Sequence, residues 1–289
     1  MRKEIVLLPI ISFLEHNKKR IMIYIILFFI AIFTVWLIWS NVSVQKTRIL
    51  VSSVDLPDSF DGFKIAHISD LHNAEFGENN KRLLKKLRNA KPDIIAITGD
   101  SIDSRRTDMD VTLSFIEQAM EIAQCYFVVG NHEARIKKSD YRDFEEKLIQ
   151  LGVIVLHNEA ATIEKNNEKI TIFGIDDPAC KSKFDYCLEQ GAKMGNYTVL
   201  LSHRPEYFEA YVENGYDLVL SGHAHGGQFR LPFIGGLYAP MQGVFPKYDS
   251  GAYKQDGTTM IVSRGLGNSS FPIRFNNRPE LIIIELNTR

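Results

Sequence analysis

The chain has 289 residues, 45% hydrophobic and 24% charged, which suits a protein with a full core and excludes a disordered chain. Its formal net charge of −1 hides a split: residues 1–48 hold seven Lys/Arg and two Glu, a net of +5, and the remainder holds 27 basic and 33 acidic residues, a net of −6. An acidic body argues against a nucleic-acid binder, which would present a basic face.

Ile21–Trp39 carries no charged residue. As a helix it spans roughly 30 Å, about the thickness of a bilayer core. Tyr24, Trp36 and Trp39 stand near its ends, where interfacial aromatics belong. Lys18-Lys19-Arg20 precede it, with Arg2 and Lys3 further back, and only Lys46 and Arg48 follow closely. The positive-inside bias predicts a single-pass anchor with a cytoplasmic amino terminus and an extracytoplasmic body. A cleaved signal peptide is the competing reading, but its apolar region would be about 7–15 residues with a small-residue cleavage site, and no Ala-x-Ala follows here. The earlier run Ile5–Leu14 contains Pro9, is too short to span and suits the interface. The expected organisation is a basic segment over 1–20, an anchor over 21–40, a linker with an opening strand over 41–63, and the body over 64–289.

In the body, strand and helix signals alternate. Strands are expected at Lys64–Ser69, Asp93–Thr98, Cys125–Val129, Val153–Leu156, Ala160–Glu164 and Lys169–Gly174, the last two joined by an Asn166-Asn167 turn. Thr198–Ser202, Asp217–Leu220, Thr259–Ser263 and Leu281–Leu286 complete the set. Helices are expected at Glu78–Ala90, Val111–Ala123, from a Ser139 cap to Leu151, at Phe184–Lys193 and at Pro205–Asn214. Past Gly226 the pattern is loop-rich. This reads as one α/β domain, a sandwich of two mixed sheets flanked by helices, with a single open parallel sheet as the alternative.

The chemistry stands at the ends of five of these strands: Asp70 and His72; Asp100; Asn131; His203; then His223 and His225. Ligands of α/β sheets bind beyond the carboxyl ends of strands, so these seven groups are expected at one edge. Each has an ordinary reading alone: a helix cap for Asp70, a turn for Gly99-Asp100 and for Asn131, a helix start for His203. A shared site explains all five at once. The donors are oxygen and imidazole, with Mn expected and Fe or Zn as alternatives. Cys125, Cys180 and Cys187 form no Cys-x-x-Cys pair, which argues against a thiolate zinc site; they read as a core thiol and two free thiols, a Cys180–Cys187 bridge being the alternative. Seven donors exceed one ion with an open position, and two ions about 3.5–4 Å apart sharing a carboxylate accommodate them.

Asp-x-His, Gly-Asp-x-x-Asp, Gly-Asn-His-Glu, a later His and Gly-His-x-His, over residues 64–226, resemble the calcineurin-like metallophosphoesterases. The resemblance implies a four-layer α/β/β/α sandwich. It also implies one ion on Asp70, His72 and His225, a second on Asn131, His203 and His223, Asp100 bridging, and His132 as acid or hydrogen-bond donor to the leaving group. The anchor, with Gly226–Pro232 and Ser263–Ser269, is similar to a membrane-anchored bacterial branch that includes UDP-2,3-diacylglucosamine pyrophosphohydrolases of lipid A synthesis and cell-wall phosphatases. The implied activity is hydrolysis of a phosphoester or pyrophosphate in an envelope substrate, lipid-linked or in the wall. Partners are then the bilayer and that phosphorylated substrate, with no nucleic acid and no obligate protein partner. Arg264, Arg274 and Asn268 are expected to bind substrate, and Asp103 to act behind the ligands or as a cap. Phe229, Leu231, Phe233, Ile234 and Leu237 read either as core or as an apolar lip for an acyl chain. Rival readings are a cyclic-nucleotide phosphodiesterase and a non-catalytic tethered scaffold. A serine hydrolase is set aside, since no Gly-x-Ser-x-Gly exists.

Overall fold

The computed structural model describes residues 4–181, 183–192, 194, 197–268 and 271–288. It divides into two units, Met1–Ser40 and Asn41–Arg289.

The first unit is helical, part of α1, Glu4–Val42. The helix is continuous, running through Pro9 and on into the apolar stretch. No glycine or proline lies between Leu14 and Val42 to stop it. Within it, Asn17–Val42 is long and apolar enough to cross a membrane, with mean hydropathy 2.9.

The second unit contains two six-stranded sheets. The first has the order β1 (Gln45–Ser53), β12 (Glu280–Thr288), β2 (Lys64–Ile68), β3 (Ile94–Ile97), β4 (Gln124–Phe127), β5 (Ile154–Val155). Strands β2 to β5 run parallel, and β12 is antiparallel to β2 and parallel to β1. The second has the order β10 (Gly251–Gln255), β11 (Thr258–Val262), β9 (Leu218–Ser221), β8 (Thr198–Leu201), β7 (Glu168–Gly174), β6 (Glu159–Lys165). Here β11, β9, β8 and β7 are parallel, and the outer strands close hairpins. Asn166 and Asn167 both take positive φ at the β6–β7 turn, the geometry a two-residue hairpin needs.

Side chains alternate between layers with the strand period of two. Ile94 and Ala96 of β3 face inward with Val199 and Leu201 of β8 and Leu218 and Leu220 of β9, forming the core between the sheets. Ile95 and Ile97 face outward under Leu83, Leu84 and Leu87 of α2 (Lys81–Ala90) and Phe115 and Ile116 of α3 (Met109–Met120). Phe144 and Leu148 of α4 (Lys138–Gln150) join that layer. On the far side, Leu200 and Val219 lie under Leu188 of α5 (Phe184–Gly191) and Phe208 and Tyr211 of α6 (Phe208–Glu213). The order helix, sheet, sheet, helix is the expected sandwich; the single open sheet is excluded.

Two points of the sequence reading need correction. Ser139 does not cap α4; Lys137 holds that position, and Ser139 Oγ bonds Asp140 instead. The strand Gly251–Gln255 lay unread because only Ala252 and Tyr253 in it are apolar. The cysteines are free thiols as expected, and the alternative Cys180–Cys187 bridge is not made. The expected end of α5 at Lys193 lies outside the described residues.

Candidate metal centre

Strands β2, β3 and β4 of one sheet and β8 and β9 of the other release their chains at a common edge. Beyond β2 stand Asp70 and His72, beyond β3 Asp100, beyond β4 Asn131 and His132, beyond β8 His203, and beyond β9 His223 and His225. All are buried. Asp70, His72, Asp100, His223 and His225 have φ between 46° and 64°, a region side-chain-bearing residues avoid. Such strain persists where the surroundings over-determine it, and it clusters at functional sites. Gly222 shows how tight the edge is: a Cβ there would lie 1.8 Å from Ser69 Oγ and 2.4 Å from Asp70 Oδ2.

Two donor clusters result. In the first, His72 Nε2 and His225 Nε2 lie 3.3 Å apart, with Asp70 Oδ1 at 4.0 Å and 3.4 Å from them. In the second, His203 Nε2 lies 3.1 Å from His223 Nδ1 and 3.2 Å from Asp100 Oδ2. That same Asp100 oxygen is 3.7 Å from His72 Nε2 in the first cluster, so one carboxylate reaches both. Asn131 turns its side-chain oxygen toward His223 Nδ1 at 2.8 Å. That contact is satisfied by an Nδ1–H of His223, whose Nε2 faces the Arg204 guanidinium, by a turned-over amide donating its own hydrogen, or by a cation held by both atoms.

The electrostatics agree with a cation site. Burial holds the His72 imidazole down at about 3 and keeps those of His223 and His225 well below the usual range, so their nitrogen lone pairs are free. Burial also pulls down His203, but the Asp100 carboxylate beside it, with Asp70, overrides this and raises it to about 10. Burial pushes the Asp100 carboxyl up, and the His203, His72 and His132 imidazoles outweigh it and hold the group well below the usual carboxylate range. Asp100 and Asp70 together thus favour positive charge at this point of the pocket. The donors present fit two divalent ions: imidazole nitrogens, two carboxylates and one amide oxygen, with no thiolate.

Neighbouring groups orient the donors. Thr98 O accepts from His203 Nδ1 at 2.7 Å, which leaves Nε2 facing Asp100. The Ser104 backbone N–H donates to His132 Nδ1 at 3.0 Å, so the neutral ring carries its hydrogen on Nε2, 4.0 Å from Asp100 Oδ2. Asp103 is buried, paired with Arg105, and 3.5 Å from His132 Nδ1; with His72 and His132 it forms a third group of donors close enough to share an ion. Glu133 accepts backbone N–H bonds from Asp100, Ser101, Ile102 and Gly130 and so ties two ligand loops together.

The donors open on a cavity of about 280 Å³, whose wall adds Arg105, Arg135, Arg204, Tyr238, Pro240 and Met241. Arg204 is held by Asp177 through Nε and Nη2, with Nη1 2.9 Å from His223 Nε2. Neither Arg204 nor Asp177 was singled out from sequence. The signal was present: Gly174-Ile175-Asp176-Asp177 is a sixth strand end carrying acids. The expected substrate residues sit elsewhere. Arg274 is fully buried and donates to Asn268 Oδ1, Arg264 O and Gly267 O, while Arg264 pairs with Glu280. None of Arg264, Asn268 and Arg274 lines the cavity.

The calcineurin-like phosphoesterase family model matches residues 63–227, more than half of the sequence, and the chain belongs to that family. It is 30% identical to the metallophosphoesterase YkuE of Bacillus subtilis (strain 168) over 84% of this chain and 85% of that one. It is 29% identical to the phosphodiesterase YaeI of Escherichia coli (strain K12), over 78% and 82%. A zebrafish (Danio rerio) transmembrane protein with a metallophosphoesterase domain is 28% identical over 80% of this chain and 54% of its own length. The chain is accordingly a metal-dependent phosphoester hydrolase.

Proposed function

We propose a membrane-tethered phosphoesterase with a dinuclear metal centre, acting on a phosphoester or pyrophosphate of an envelope substrate, lipid-linked or in the wall. The observation that carries the chemistry is the position of Asp100 Oδ2, 3.2 Å from His203 and 3.7 Å from His72, between the two donor clusters. Asp70, His72 and His225 would hold one ion, Asn131, His203 and His223 the other, and Asp100 both. When bound, the pair supplies an activated water and charge stabilisation for in-line displacement at phosphorus. Mn is the metal expected, with Fe or Zn as alternatives.

The chain's own groups do the rest. His132 presents Nε2–H toward the reacting group and gives a hydrogen bond to the leaving oxygen. Arg135, in the cavity wall, offers a fork donor to the non-bridging oxygens, and Arg204, committed to Asp177, Glu206 and His223, adds positive charge beside it. His132 and Arg204 are buried, which limits competition from bulk water, while Arg135 stands at the exposed mouth.

The similarity to the phosphodiesterase YaeI makes a phosphodiester the first substrate class to try. The apolar helix Asn17–Val42 and the basic residues ahead of it support a tether with a cytoplasmic amino terminus and an outward body. The UDP-2,3-diacylglucosamine-like substrate remains within this proposal as one candidate. The test uses the full-length protein in detergent, stripped by chelator and reloaded with Mn. It is assayed on nitrophenyl phosphomonoesters and diesters, membrane-lipid extract and wall fragments. Turnover that needs the metal supports the reading; a metal-loaded protein that hydrolyses none of them overturns it.

A further inference from the structure

The segment after Gly227 forms two small hairpins. Arg230-Leu231 pairs with Gly235-Gly236, and Tyr238-Ala239 with Gly243-Val244. They carry a run of exposed apolar side chains: Phe233 at 109%, Met241 at 76%, and Ile234, Val244, Phe245 and Tyr238 all about half exposed or more. Tyr238 and Val244 are directly paired, so their side chains share a face. Soluble surfaces scatter such residues singly; a cluster marks a contact site.

Three further observations say what covers it. First, the cluster reaches the point where the chain enters the body. Gln228 Nε2 donates to Phe271 O and Ile273 O, the Phe229 and Phe271 rings meet edge to face, and both Phe271 and Ile273 are exposed. The next residue, Arg274, exchanges two hydrogen bonds with the side chain of Asn41: its N–H donates to Oδ1 and its O accepts from Nδ2. Asn41 lies at the end of the apolar helix, and β1 begins at Gln45. Second, the hairpins can leave water without stranding polar groups. The N–H groups of Phe229, Ile234, Leu237 and Phe245 are bonded to carbonyls within the segment, and Arg230 is neutralised by Asp249 at 2.9 Å. Third, Tyr238 and Met241 also wall the metal cavity.

We infer that this apolar rim docks into the interfacial layer of the bilayer that holds the chain's own span, so that the cavity takes a phosphate carried by a bilayer-resident amphiphile. The inference rests on the proposed tether and deepens the proposed substrate class. A span joined covalently to the body at Asn41, next to the rim, keeps the rim near the membrane surface at high effective concentration. A few aromatic and Met side chains then suffice for docking, as they do for interfacial segments generally. The phosphate would not have to leave the headgroup layer to reach His132.

The test uses the full chain in vesicles of phosphatidylethanolamine and phosphatidylglycerol, with Cys180→Ser and Cys187→Ser as background. An environment-sensitive fluorophore is placed through Phe233→Cys, or through Glu146→Cys on the exposed face of α4 as control. Lipid-borne quenchers should reduce emission about twofold or more at 233 and leave 146 unchanged. A second variant, Phe233→Asp with Phe245→Asp, should lose about tenfold in turnover of a nitrophenyl phosphodiester lipid embedded in the vesicles, and stay within about twofold on the soluble ester. Equal quenching at both positions overturns the proposal. So does quenching at 233 that depends on protein concentration rather than lipid, which would mean that the rim joins a second copy. Absence of any ester turnover would fail the phosphoesterase reading while the quenching measurement still decides the docking.

Discussion

Glu133 Oε2 accepts the backbone N–H of Asp100 at 2.8 Å, and its other oxygen takes the N–H groups of Ser101 and Ile102. Burial, with the nearby Asp100 charge, pushes the Glu133 carboxyl up toward about 7, and the backbone donors oppose that rise. The residue therefore fixes the loop that presents Asp100. In Glu133→Gln one oxygen is replaced by an amide that opposes donors. The folded variant should bind Mn about 10–100-fold more weakly, read by calorimetry. An affinity equal to wild type would remove this role.

His132 faces the cavity with Nε2–H and no covalent duty. His132→Ala should retain metal content and lose about 10²–10³-fold in kcat on esters of alkyl alcohols. Nitrophenyl esters, whose leaving group needs little protonation, should lose much less. Equal losses on both would assign His132 to binding instead.

Chelation should abolish activity and Mn should restore it. Asp100→Asn should not be rescued by added Mn, because a neutral amide cannot offset two cations. Activity that survives exhaustive chelation would end the metal mechanism.

His157 lies outside the metal cluster. Its Nδ1 is 2.8 Å from Asp176 Oδ1, and its Nε2 faces Glu145 and Tyr141 Oη. The bond to Asp176, opposed by partial burial and joined by Glu145, raises its pKa from 6.5 to about 9. Folding takes up a proton there, so the stabilisation is complete below the unfolded value of 6.5 and disappears as pH rises through about 9. The melting temperature of wild type should fall toward that of His157→Gln as pH rises across this window. Parallel profiles would contradict it.

Arg274→Lys replaces a buried fork that serves Asn268, Arg264 and Gly267 with a single ammonium. Stability should drop by about 2–4 kcal/mol, measured by denaturant titration, with KM for a soluble ester unchanged. A raised KM at unchanged stability would return Arg274 to the substrate, the role its sequence position suggested.

The errors of the sequence reading share a cause. Arg274 stands in a polar, glycine-rich tail, where an arginine looks exposed; only the fold puts it under Gly267. Arg204 carries no mark in the sequence, because the Asp177 carboxylate that grips it lies 27 residues away. Phe233 and Ile234 read as core more readily than as surface, since an apolar residue in a loop carries no mark of which side it faces.

Sequence alone determined the strand-and-helix alternation, the helix able to cross a membrane, and the seven donors at strand ends. These are local properties: periodicity, composition, and a residue's place after an apolar run. Tertiary structure decided which donors pair, that Asp100 stands between the clusters, which arginines reach the cavity, and that an apolar rim adjoins the start of the body. Those relations join residues tens to hundreds of positions apart, and sheet order and register set them, which no single stretch of sequence encodes.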